Sequence, residues 1–217
     1  MASEKAWQVN RARDTILARV RLAERTALLP RAPAEMPRHL EFASQPAEPC
    51  LERFQREARA LGIETFLEAS AAGVRNRIKT LVINRRVFSW DPELLPYDLG
   101  SILDNVVLSR DTRQEQALAE IGVTGCDGAI AETGTLAMLS GRGKSRAAAL
   151  LPPVHVAVAQ RSDLCLSMSE FFRKKSGKLR AAASCSFITG PSRTADIELT
   201  LTVGVHGPGR VIVVIGP

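Results

Sequence analysis

Apolar and polar positions follow two rhythms along this chain, and the change falls near residue 121. From Glu4 to Leu29 the apolar residues Ile16, Leu17, Val20, Ala23 and Ala27 recur at helical spacing between arginines, which predicts an amphipathic helix. "PRAPAEMPRHLEFASQPAEP" follows with five prolines and reads as an extended linker. Helical period returns in "CLERFQREARALG", where Leu51, Phe54, Ala58 and Leu61 repeat and Gly62 stands in place to end the helix. A strand is expected over "IETFLEA", a helix over "AGVRNRIK" and a strand over "TLVINRR". "WDPELLPYDLGSILDNVVL" predicts a turn, a short helix and another strand. Thr112, with Glu115 three residues on, marks a capping box that opens the helix "TRQEQALAEIG".

Past Ile121 the texture is of short apolar runs between tight turns: "GVTG", "GAIAETGTLAML", "AAALLPPVHVAVA", "CSFITG" and "VIVVIG". Strands alternating with helices argue for an α/β domain with a mostly parallel central sheet, its runs buried on both faces. In "DIELTLTVGV" apolar residues alternate with polar or small ones, as in a half-exposed strand. The expected organisation is an N-terminal helix and proline-rich linker over residues 1–47, then one α/β domain over 48–217.

Composition narrows the function classes. Hydrophobic residues make up 45% of the chain, as in an ordinary globular protein. No uninterrupted apolar stretch reaches the ~18 residues of a membrane span. The opening "MASEKAWQVNRARD" lacks a secretory apolar core, so a cytoplasmic location is expected. The net charge is +6, but aromatics are only 5% and the basic residues are dispersed, which favours a surface facing anionic metabolites over nucleic acid. Cys50, Cys126, Cys165 and Cys185 are isolated from one another, and His39, His155 and His206 show no ligand spacing. No metal and no cofactor is therefore expected on this chain.

Two stretches carry candidate chemistry. "VTGCDGAIAETGTLAML" sets Asp127, Glu132, Thr133, Gly134 and Thr135 in a strand–turn–strand pattern, and glycine turns at strand ends let backbone amides approach a ligand. Glu132 has the chemistry of a general acid/base or covalent carboxylate; the alternative is a solvated carboxylate beside a turn. In "GPSRTADIE" the Gly190-Pro191 turn presents Ser192, Arg193 and Thr194, with Asp196 and Glu198 behind. The two hydroxyls and the planar guanidinium suit a carboxylate or phosphate. The competing reading makes Arg193 an internal brace, paired with Asp196, Glu198 or Asp127. His206 stands where a strand ends in a glycine turn and is expected to line the same site, whereas His155, inside an apolar strand, reads as a core histidine. "GRGKS" at 141–145 resembles the end of a phosphate-binding loop, but Met138 stands where that loop needs glycine.

With these stretches, "GVTGCDGAIAETGTLAML", "LLPPVHVAVAQ" and "ITGPSRTADIELTLTVGVHGPGRVIVVI", the sequence resembles the lactate utilisation protein C family, the LUD domain. The resemblance implies a three-layer α/β/α sandwich of the sugar-phosphate isomerase and CoA-transferase-like kind. It also implies a role, with iron–sulfur partner subunits, in oxidising L-lactate to pyruvate. Two classes of function follow. One is an accessory subunit that holds a small carboxylate or phosphate. The other is a stand-alone CoA-transferase-like or isomerase-like enzyme using Glu132, by fold-level analogy. The oligomeric state, including a homo-oligomer, is left open.

Overall fold

The computed structural model describes residues 2–26, 49–104, 106–194 and 202–217, with residues 2–10 as backbone only. The chain divides into two compact units, residues 1–43 and 44–217. In the first, one helix, α1, runs from Ala2 to Thr26. The predicted linker lies outside the described residues.

In chain order the second unit begins with α2 (Cys50–Ala60), β1 (Ile63–Leu67), α3 (Ala71–Val82), β2 (Val87–Ser89), β3 (Val106–Val107), α4 (Arg113–Ala117) and β4 (Ile121–Gly125). It continues with β5 (Gly128–Ile130), β6 (Thr135–Leu139), β7 (Val154–Gln160), β8 (Leu164–Cys165) and α5 (Met168–Ala181). The last strands are β9 (Cys185–Ile188), β10 (Arg193–Thr194), β11 (Thr202–Val203) and β12 (Arg210–Gly216). The central sheet has six strands in the order β1-β12-β7-β4-β2-β3, all parallel.

Alternation of side chains along the strands builds the layers. Val156 and Val158 of β7, with Ile212 and Val214 of β12, join Val74 and Ile78 of α3 in one buried cluster. On the other face Ala157, Ala159, Val211, Val213 and Ile215 meet Phe54 and Ala58 of α2 and Ala129 and Leu136 of a second sheet. That sheet, β8-β5-β6-β9, turns its far face to Phe171 of α5, against which Ile130 and Ala137 pack. The result is an α/β sandwich around a parallel sheet, with a small sheet inserted under α5.

Local signals set the boundaries. Gly62, at φ +86°, ends α2, and the side chains of Ser70 and Ser167 cap α3 and α5. The capping box at Thr112 forms with both of its bonds, but the helix it opens ends already at Ala117. Two expectations need correction. "TLV" continues α3, because Val74, Ile78 and Val82 extend one buried helical stripe; the strand begins only at Val87, after Asn84 turns to φ +57°. "GAIAETGTLAML" does not join the central sheet but forms the β5–β6 hairpin of the small one.

Candidate functional site

The turn of the β5–β6 hairpin is held from three sides. The amides of Ala131 and Glu132 donate to the carbonyls of Cys165 and Leu166 at 2.8 and 3.0 Å. The Glu132 carboxylate accepts the Met168 amide at 2.7 Å, so one of its oxygens occupies the N-terminus of α5, where a negative charge meets unpaired N–H groups. Gly134, at φ +62°, presses on α2: a Cβ there would lie 2.5 Å from the Ala58 nitrogen. The exposed Thr133 hydroxyl donates to that of buried Thr135 at 2.8 Å.

The second turn lies against the first. The Thr135 and Thr189 hydroxyls are 2.9 Å apart, and Gly190, at φ +101°, brings the chain over Leu61 at the end of α2. Arg193 is exposed and donates through Nη2 to the Leu61 carbonyl at 2.7 Å, a cation at the helix C-terminus. The Ser192 amide donates to the Pro208 carbonyl at 2.9 Å, so it serves the fold. Thr194 is half-buried in the β10–β11 pair opposite Thr202. His206 is exposed, and its neighbour Gly207 lies against the Ser192 side chain. Thus Thr133, Gly134, Thr135, Thr189 and Gly190 come together on the last turns of α2, with Ser192, Arg193 and the His206 loop beside them. Asp196, like Glu198, lies outside the described residues.

Asp127 does not join this group. It stands at the opposite end of the hairpin, 5% exposed, accepting the Leu139 amide and the Lys144 ammonium, each at 2.9 Å. Lys144 also lies 4.6 Å above the Trp90 ring, whose indole N–H donates to the Ser145 carbonyl at 3.2 Å. Gly143, at φ +75°, packs against Asp91 and passes its carbonyl to the Asp91 amide. The "GRGKS" loop is therefore clasped to the end of β2. Trp90 touches Gly125, so the clasp lies at the C-terminal edge of the parallel strands, where open α/β sheets receive their ligands. Sequence reasoning passed over Lys144, although its position between Gly143 and Ser145 in a short loop was a visible signal. Among the described residues no group of three or more His, Cys, Asp or Glu is placed to hold a metal ion. No described helix is long and apolar enough to cross a membrane.

With this geometry in hand, the LUD domain family model matches residues 51–215 of the sequence. The chain belongs to the LUD domain family. Lactate utilization protein C of Halalkalibacterium halodurans is 38% identical over 143 residues, 60% of this chain and 62% of that protein. The protein of the same name from Shouchella clausii is 38% identical over 135 residues, 57% and 59% of the two chains. In both cases the match spans less than two thirds of the relative's length. The one from Anoxybacillus flavithermus is 31% identical over 165 residues, 70% of this chain and 73% of that one. A crystal structure of a DUF162 family protein from Deinococcus radiodurans superimposes with a TM-score of 0.64, covering 77% of this chain and 96% of that one. At 24% identity that likeness is one of fold.

Two further features of this LUD domain bear on its chemistry. Tyr97 and Asp98 are consecutive left-handed residues at φ +62° and +55°, a strained pair. The Tyr97 hydroxyl donates to the Pro217 carbonyl at 2.8 Å across Gly216, and burial raises its pKa. His155 is fully buried, as expected of a core histidine; its Nε2 lies 2.9 Å from the Thr124 hydroxyl, while Nδ1 has no partner among the described residues. Burial holds its pKa down to about 4. In the unfolded chain the ring binds a proton near pH 6.5. Acidification therefore favours unfolding, and the stability present above the unfolded pKa is lost as pH falls toward the folded one. About 2 kcal/mol is expected to disappear between about pH 7.5 and pH 5 through this ring. Urea titrations of wild type and His155→Gln across that range check it: an equal pH slope in both proteins contradicts the assignment.

Proposed function

We propose that this LUD domain serves a cytoplasmic lactate-utilising system as a subunit that binds a small carboxylate or phosphate and works with iron–sulfur partner proteins that oxidise L-lactate to pyruvate. The lactate reading rests on the relatives named Lactate utilization protein C. The observation that supports the anion site is the meeting of the two glycine turns through Thr135 and Thr189, with the exposed Arg193 guanidinium alongside. Thr133, Thr135, Ser192 and Thr194 supply hydroxyls, Gly134 keeps the first turn close, and His206 flanks the second. Asp196 belongs to the same segment. Asp127 acts from a distance, by fixing the hairpin's other end.

The second reading, a CoA-transferase-like or isomerase-like enzyme, is favoured by Glu132. Its carboxylate is half-buried and oriented through the Met168 amide, as a reacting carboxylate needs.

Arg193→Lys separates ligand binding from bracing. Lysine keeps the charge and loses the fork. A binding role gives an unchanged melting temperature, affinity for L-lactate or inorganic phosphate weakened about tenfold, and failed complementation of growth on lactate. A brace to Leu61 alone gives a loss of about 0.5–1 kcal/mol of stability and normal binding, which would rule out the anion site. Acyl-CoA exchange that vanishes in Glu132→Gln would instead support the enzyme reading.

A further inference from the structure

We propose that the outer edge of β9 is a docking site for an extended, acidic segment of a partner protein, which adds to the four-stranded sheet as a further strand. The register carries the argument. The Ala137 carbonyl accepts the Asp127 amide at 2.8 Å, and the Leu139 amide donates to the Asp127 carboxylate, so both residues direct their backbone groups away from β9. Their partners across the β6–β9 pair are Phe187 and Cys185. In an antiparallel pair such residues make no ladder bonds, and their N–H and C=O groups point out of the other side. Ser186 and Ile188, opposite Met138 and Leu136, bond inward. β9 ends the strand order, so the outward groups of Cys185 and Phe187 meet no further strand among the described residues. Natural edges are ordinarily blunted by charge, proline or a bulge. Cys185-Ser186-Phe187-Ile188 carries no charge and no proline, and its pairing is unbroken.

Both faces beside this edge are apolar near the strand. On the α5 face Phe171, Phe172 and Phe187 meet edge to face at 5.7–6.0 Å, with Phe172 47% and Phe187 39% exposed. On the opposite face Ser186 and Ile188 lie with Trp90, Met138, Ala149 and Leu150 around a shallow recess of about 10 Å³. Alternate side chains of an added strand enter these two faces in turn, the usual recipe of strand addition.

Charge selects the occupant. Arg173, Lys178 and Arg180 are exposed on α5, and Arg146 is exposed on the rim of the recess, without ion pairs among the described residues. The carboxylates that α5 meets, Glu170 and Asp163, are already paired with Lys174 and Lys175, and Asp127 is paired with Lys144. A second copy would set the same cations of a +6 chain against these. An acidic segment neutralises them. The proposal is independent of the anion site: of the residues named there it involves only Asp127, and that one only through its bonds to β6 and Lys144 at the hairpin's other end.

The probe is a blocked, fluorescent peptide of about eight residues that alternates Glu or Asp with Val and Phe, titrated against the full chain by anisotropy. Saturable binding is expected, and amide hydrogen exchange should slow at Cys185 and Phe187 while Ser186, already bonded inward, stays as it was. Phe187→Pro removes an outward N–H and no ladder bond. It and the pair Lys178→Glu/Arg180→Glu should each weaken binding about tenfold or more. Exchange in the unaltered chain decides the matter even where Phe187→Pro fails to fold. Absent saturation, slowing elsewhere, or equal binding of a peptide with Lys in place of the acids would overturn the proposal. So would a dimer in sedimentation that Phe187→Pro abolishes, which gives the edge to a second copy. Binding to phosphatidylserine vesicles with none to the peptide would make it a lipid surface.

Discussion

Asp127→Asn is expected to destabilise this LUD domain by about 3–5 kcal/mol, the loss typical of removing one member of a buried ion pair. The carboxylate is 5% exposed and receives two bonds, one from the Leu139 amide and one from Lys144. Asparagine can still accept from Leu139, but it leaves the Lys144 ammonium, itself only a quarter exposed, without its counter-charge. The stacking on Trp90 offsets little of this, about 1–2 kcal/mol at a partly desolvated site. Lys144→Met keeps the aliphatic stem and strands the carboxylate instead, with a similar loss expected. Because each single change leaves a lone charge, the double variant should cost about 1–3 kcal/mol less than the sum. Urea unfolding of the four proteins measures this cycle. Additive losses would mean that Asp127 and Lys144 act separately, and that the loop over the C-terminal edge is held by its backbone alone.

That clasp also shows where the sequence was readable and where it was not. Helical period, the Thr112 capping box and Gly62 located α2, the first turns of α3 and the start of α4, because these signals act within a few residues of the element they define. The parallel core was legible in "VHVAVAQ" and "VIVVIG", since strands covered on both faces need an apolar residue at nearly every position. The small sheet was not. "GAIAETGTLAML" has the same texture as a central strand pair, and only Phe171 across Gly128 and the Ala157–Ala159 face beneath Ala129 place it in a separate layer. Such placement is decided by residues far apart in the chain.

The candidate site divides in the same way. Glycines at positive φ announced both turns, and Thr135 does meet Thr189 across them. What no local pattern carried was the choice of partners. Arg193 was weighed against carboxylates, yet it takes a helix-end carbonyl, Leu61, more than a hundred residues away in sequence. Asp127 was grouped with Glu132 because five positions separate them, but a hairpin sends those positions to opposite ends. The partner of Asp127 is Lys144, from the "GRGKS" loop whose likeness to a phosphate-binding loop fails at Met138.

Gly134→Ala is expected to be the second severe change, at about 2–5 kcal/mol. Two contributions add. A non-glycine residue at φ +62° costs about 1–2 kcal/mol, and forcing an extra methyl into a packed contact costs about 1–3 kcal/mol. The contact is of the unyielding kind: the new Cβ would lie 2.5 Å from the Ala58 nitrogen and 2.7 Å from the Glu57 carbonyl carbon, both backbone of α2. Trimming the neighbour with Ala58→Gly therefore brings no rescue, because the obstructing atom is not a side chain. Exposed Thr133, one residue earlier, gives the control; Thr133→Ala should stay within about 0.5 kcal/mol. The experiment also separates two reasons for a glycine in this turn. If it serves close packing on α2, Gly134→Ala lowers the melting temperature and ligand binding fails only as folding fails. If it serves close approach of a ligand, the variant keeps its melting temperature and loses affinity, and the packing account is wrong.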